Sequence, residues 1–223
     1  DPDSAPQPRR RLHMAADPTR FALLGGHFAR YCDPRILEAV VTAAHTLDAT
    51  SVAVPGDAAR AAAYVIVASE AAATHAAALR EAPEGLDPAV RTRLAAGTLV
   101  PRSWLDQAWT VRRHYAARFA QLFERFDVLL APAVPCLAPP IEAAMDLMPG
   151  TDLPLRAALG LYTQPLSLLG LPVLTVPLAT AAGLPTGVQL IGPPGAEQRL
   201  FAAARRLLAD AAGPPRPEVS RKD

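Results

Sequence analysis

Lysine is almost absent from this chain. Of 22 basic residues, Lys222 alone is a lysine, and it stands in the C-terminal tail. The others are arginines, which stay protonated in proteins. No residue in the body of the chain can therefore act as a neutral, proton-accepting amine. Cysteine is scarce as well. Cys32 and Cys136 are far apart in sequence and form neither a disulfide framework nor a zinc pattern. Excess charge is missing: the formal net charge is +1, without the basic field that a nucleic-acid protein needs. No unbroken apolar run approaches the roughly 18 residues of a membrane span. The opening stretch DPDSAPQPRRRLHM has no apolar core and does not read as a signal peptide. These absences predict a cytoplasmic protein with neither a nucleic-acid nor a membrane partner.

What is present is apolar and rich in proline. The 223 residues are 51% hydrophobic, enough for one sizeable core in a large α/β domain. There are 24 prolines, above the usual share of about 5%, placed mostly where elements end. Residues 1–18 read as a linker, and the triplet Arg9–Arg11 as part of its solvated surface. Residues 211–223 read as a mobile tail, which leaves 19–210 as the folded unit.

Within that unit, RFALLGG (20–26) predicts a buried strand, 33–49 a helix and TSVAVP (50–55) a second strand. Asp33 is a natural N-cap and Pro34 suits the first helical turn. Strand, helix, strand is the rhythm of a parallel sheet. Residues 57–80 predict one alanine-rich helix with Tyr64, Val67, Ala68, Ala71, His75 and Ala78 on one face. LDPAVRTRLAAG repeats the Asp-Pro helix start and stops at Gly97. A long helix follows over about 103–126, with Val111, Tyr115, Phe119, Leu122 and Phe126 at helical spacing. It leads into DVLLAPAVP (127–135), read as a buried strand. Residues 136–160 read as loop, and the last helix spans about 196–209.

The stretch GLPVLTVPLATAAGLPTGVQLIG (170–192) writes Gly-Leu-Pro twice, each time before an apolar run. A proline that fixes φ and lacks a donor can begin a strand but not sit at its centre. Two strands over such a short loop predict an antiparallel pair. The first is nearly all apolar and reads as covered on both faces. The stretch carries no nucleophile set, no acid–base pair and no metal ligands, so on physical grounds it is architecture.

These residues also resemble a family. Gly170, Leu171, Pro172, Thr175, Val176 and Pro177, then Gly183, Leu184, Pro185, Gly187, Gln189, Leu190, Ile191 and Gly192, are similar to the C-terminal half of amidase-signature hydrolases. FDVLLAPAVPCLAPPI and LDPAVRTRLAAG resemble further family segments, and the likeness runs along nearly the whole chain. It implies part of an α/β/α domain, a mixed sheet with flanking helices, and hydrolysis of a carbon–nitrogen amide bond without a cofactor. It also implies a serine nucleophile, a bridging serine and a lysine, with backbone N–H groups holding the oxyanion. None of that machinery is in these residues: there is no Gly-Gly-Ser-Ser-Gly loop and no lysine before Lys222. The resemblance places it upstream of Asp1. No catalytic residue is therefore assigned within the chain, which is expected to be inactive by itself.

Substrate-side candidates follow from the same resemblance. His75, in EAAATHAAALR, and Thr163, Gln164 and Ser167, in TQPLSLLGLP, look like the subunit type that acts on carboxybiuret or allophanate-like ureas. Ala77 and Gly160 stand where the glutamyl-tRNA amidotransferase A subunit has a substrate-binding arginine and its acidic partner. The implied substrate is a small linear amide or urea-like molecule. The implied partners are the N-terminal half of the same enzyme or a separate chain, and a further copy in a homo-oligomer. Two other readings stay open: a non-catalytic structural or interaction remnant of a split amidase, and the A subunit of a glutamyl-tRNA amidotransferase. His75 also fits a satisfied interior or interface histidine, the polar trio fits backbone satisfaction, and Cys136 fits a buried inert thiol. The remaining histidines, His27 among them, are given no role.

Overall fold

The structure is a computed structural model that describes residues 20–180 and 183–210. The linker read over 1–18 and the tail read over 211–223 lie outside them. Strand β1 (Phe21–Gly26) leads through α1 (Pro34–Thr46) to β2 (Thr50–Val54). Helices α2 (Asp57–Thr74), α3 (Ala76–Glu81), α4 (Pro88–Gly97) and α5 (Arg102–Arg125) precede β3 (Val128–Pro132). After a loop with two short helical turns, α6 (Leu155–Ala158) and α7 (Thr163–Ser167), come β4 (Val173–Leu178), β5 (Thr186–Ile191) and α8 (Glu197–Asp210).

The five strands form one mixed sheet in the order β2-β1-β3-β5-β4. β1 is parallel to both β2 and β3, while β5 runs antiparallel to β3 and β4. Helices cover both faces. On one side Ile36 and Val40 of α1, Leu47 just after it, and Leu200 and Leu207 of α8 pack with Val128, Leu130 and Leu190. On the other, Ile66 of α2 and Tyr115, Phe119 and Leu122 of α5 pack with Leu24, Leu129 and Ile191. The α/β/α layering thus follows from strands that are apolar on both sides.

Local sequence chemistry explains the helix starts. The Asp33 carboxylate accepts from Arg35 N, and the Asp87 carboxylate from Ala89 N and Val90 N. Each offsets the donors that a helix start leaves unsatisfied. Gln189, buried between strands, donates to Pro132 O at 2.8 Å and fastens β5 to β3.

Four sequence expectations need correction. The alanine-rich helix breaks at His75 into α2 and α3. Its core side is Ala59, Ala62, Ala63 and Ile66, whereas Tyr64 and Val67 are 46% and 62% exposed. Alanine on every face left no contrast from which to read the buried side. β4 is an edge strand with Val173, Thr175 and Pro177 exposed, and of this antiparallel pair it is β5 that is buried along its whole length. An edge is where a strand tolerates a proline such as Pro177. Thr163, Gln164 and Ser167, which as a polar trio just before the Gly-Leu-Pro strand read as the start of a buried strand, form the single turn α7 instead.

Candidate functional site

The carboxyl ends of β1 and β2 are where an open parallel sheet gathers ligands. Gly26 ends β1 with φ +65, and a Cβ there would meet Val54 O at 2.9 Å, so glycine lets the two strands close on each other. His27 follows immediately, 4% exposed. Its Nε2 lies 2.9 Å from Leu161 O and its Nδ1 lies 3.1 Å from Asp57 Oδ1. Gly56 leaves room for the ring, since a Cβ there would stand 2.4 Å from it. His27 also meets Phe28 and Tyr162 edge-on, at 5.4 and 6.3 Å. This histidine therefore joins the end of β1, the start of α2 and the turn before α7.

Arg30 also pairs with Asp57. Burial works to raise the Asp57 carboxyl, but the Arg30 guanidinium and the His27 ring outweigh it and hold the group below its ordinary range. Tyr162, fully buried, donates from its hydroxyl to Arg30 O at 2.8 Å. Burial pushes that phenol upward. Cys32 stands beside Tyr162, and its thiol is pushed up to about 11, first by burial. Burial likewise raises Cys136. The two cysteines, remote in sequence, are neighbours because Asp33 N donates to Pro135 O at 2.7 Å. Thiols raised in this way are poor nucleophiles at neutral pH.

The turn that carries the predicted trio is fastened from α2. Arg60, half-buried in the first turns of α2, donates from Nε to Gln164 Oε1 at 3.0 Å and from a terminal nitrogen to Ala157 O at 3.3 Å. Gln164 lies across Gly160, where a Cβ would come within 2.7 Å of its Nε2. Gln164 and Thr163 are half-buried and Ser167 is exposed. From α5, Arg112 donates to Leu168 O at 2.8 Å and holds the far end of the same turn.

The structure thus groups Thr163, Gln164 and Ser167 on one turn and sets His75 apart from them. His75 is exposed at the α2–α3 break. It stands about 22 Å further along the helix axis than Arg60, at 1.5 Å per residue. Arginine side chains on a helix lean toward its N-terminus, which widens the gap to Gln164. Arg60, which holds Gln164, His27, which meets Leu161 O just before the turn, and Asp57, paired with His27, were not singled out from the sequence. One signal was available: His27 directly follows the double glycine that ends a parallel strand.

Among the described residues no group of three or more His, Cys, Asp and Glu could hold a metal ion, and no helix is long and apolar enough to cross a membrane. A shallow groove lined by Arg35, Glu38, Thr42, Thr46, Leu178 and Thr180 lies on the α1 face. It contains none of the predicted site residues.

A family model described as Amidase matches residues 3–201. The 1-carboxybiuret hydrolase subunit AtzE of Pseudomonas sp. (strain ADP) is 40% identical over 192 residues, which is 84% of this chain and 42% of that protein. The A subunit of the glutamyl-tRNA(Gln) amidotransferase of Neisseria meningitidis serogroup C (strain 053442) is 37% identical over 131 residues, covering 56% of this chain and 26% of that one. A solved structure described as a vestigial protein complex that reveals the evolutionary origins of an s-triazine catabolic enzyme superposes with a TM-score of 0.81 at 38% identity. It covers 88% of this chain and 44% of the solved one. The chain therefore spans less than half the length of these similar proteins.

Proposed function

The chain belongs to the amidase family, and from that premise we propose that it forms one wall of the substrate pocket of a carbon–nitrogen hydrolase acting on small linear amides or urea-like molecules. The observation that carries the reading is the α7 turn, where Arg60 fixes Gln164 across Gly160. Arg60 takes Gln164 Oε1, so the Nε2 amide is left as a donor toward a substrate carbonyl. Thr163 and Ser167 belong to the same wall. On this reading the serine nucleophile, bridging serine and lysine that the family resemblance implies are supplied from outside these 223 residues, which hold no Gly-Gly-Ser-Ser-Gly loop and no lysine before Lys222. Exposed apolar residues support the need for such a segment: Val173 on edge strand β4, and Val67 and Trp104 on α2 and α5. Lone surface apolar residues are ordinary, but an exposed strand edge is normally paired or covered.

The relatives also bear on the choice of substrate. The AtzE-like likeness runs over 84% of the chain. The amidotransferase likeness is shorter, and Ala77 and Gly160 depart from that subunit's arginine and acidic positions. We therefore favour a urea-like substrate over a glutaminyl one. The test is ammonia release from biuret and allophanate by the complete protein. Gln164→Ala should lower kcat/KM by about 10- to 100-fold, the cost of leaving a substrate carbonyl without its donor, while a thermal melt shows that the variant is folded. Absence of ammonia release from either substrate, or full activity in Gln164→Ala, contradicts the reading.

A further inference from the structure

We propose that Arg60, together with Gln164 folded across Gly160, forms a carboxylate-recognition subsite for the anionic end of the substrate. The proposal rests on the reading that the α7 turn lines the amide pocket, and it adds a charged residue and a substrate class to it.

The first observation is an unmatched charge. A helical arginine is expected to pair with an acid three or four positions away. Asp57 stands at that spacing from Arg60, but its carboxylate is taken by Arg30 and His27. The ion pairs among the described residues leave Arg60 without a carboxylate. Its guanidinium meets neutral groups only: Gln164 Oε1, Ala157 O and the Tyr64 ring, 5.1 Å from the ring centroid. A guanidinium partly withdrawn from water gains from a counter-charge that enters beside it. A guanidinium has five N–H donors, two of which are committed here, and a carboxylate can take two of the remaining three through parallel bonds.

The second observation is the fixed amide beside it. Because Arg60 Nε donates to Gln164 Oε1, the Nε2 donor is the end that lies against Gly160. A side chain at 160 would occupy that space, 2.7 Å from Nε2. Glycine at 160 is therefore the condition for a charged donor and a neutral amide donor to stand side by side. That pair matches a planar carboxylate next to an amide carbonyl, and disfavours a neutral diamide of the same shape, which offers no charge to Arg60.

The test is calorimetric titration of the complete protein with oxamate, which has a carboxylate beside a carboxamide, and with oxamide, its neutral counterpart. Wild type should bind oxamate at least 10-fold tighter than oxamide. Arg60→Met should reduce that ratio to within 2-fold. Gly160→Ala, which displaces Gln164 and keeps Arg60, should weaken oxamate about 3- to 10-fold, and a thermal melt of each variant establishes that it is folded. A wild type without oxamate preference, or Arg60→Met that keeps the preference, overturns the subsite. Unchanged oxamate affinity in Gly160→Ala removes Gln164 from it. Ammonia release is read separately. Oxamate binding through Arg60 in a protein that releases no ammonia from biuret or allophanate keeps the subsite and removes the amidase reading. Equal use of allophanate and biuret, unaffected by Arg60→Met, does the reverse.

Discussion

Gly97 offers a test of how closely the alanine-rich helices pack. It ends α4, buried against α2, where a Cβ on residue 97 would stand 2.2 Å from Ala68 O and 2.9 Å from Ala72 Cβ. Two effects of Gly97→Ala oppose each other. Helix propensity favours alanine by up to about 1 kcal/mol, and by less at a helix end. Against it, ordinary carbon contacts need about 3.5 Å, so α4 must move away from the α2 backbone by about 1 Å. Overpacking of this kind costs about 1–3 kcal/mol. The upper end applies here, because the obstacle is a carbonyl and not the tip of a flexible side chain. The net expectation is a loss of about 2 kcal/mol, or roughly 2–4 °C in Tm for a complete protein of about twice this chain's size. Thermal melts and urea midpoints of the complete protein measure it. A Tm equal to or above wild type would mean that propensity wins and that the α2–α4 contact is looser than the structure shows.

Three further outcomes follow from the site. His27→Leu should cost about 2–3 kcal/mol, because it leaves Leu161 O buried without its donor; a urea midpoint within error of wild type would refute the bridging role. Asp57 titrates below its ordinary value of 3.8 in the folded state. Its contribution is thus present above that value and lost as pH falls through the lower folded one; Tm scanned from pH 6 to pH 2.5 should fall in that window, and less steeply in Asp57→Asn. Cys32, pushed up to about 11, should be alkylated by iodoacetamide at pH 7.5 at least 10-fold more slowly in the native protein than in urea; equal rates by mass spectrometry would place it in an exposed, reactive setting.

Much of the fold was legible because its signals are local. The Asp-Pro starts at Asp33 and Asp87, the apolar stripe of α5 and the prolines before β4 and β5 act within a few residues. The facing of α2 was not legible, since alanine carries little hydrophobic contrast, and the edge position of β4 was hidden by its apolar letters. Gln164 stood out within its own segment. Arg60, its partner, lies 104 positions away, and nothing in a pattern of spacing joins residues so remote. His27 looked like one scattered histidine until the sheet brought Asp57 and Leu161 to its two nitrogens.

The central claim is that this chain is one wall of an amidase whose catalytic segment it does not contain. The intact mass of the protein as its own cells produce it, read together with any chain that remains bound, tests this most directly. The account predicts about twice the 23.5 kDa of this sequence, in one chain or in two that stay together. A mass of 23.5 kDa with no second chain bound would contradict it.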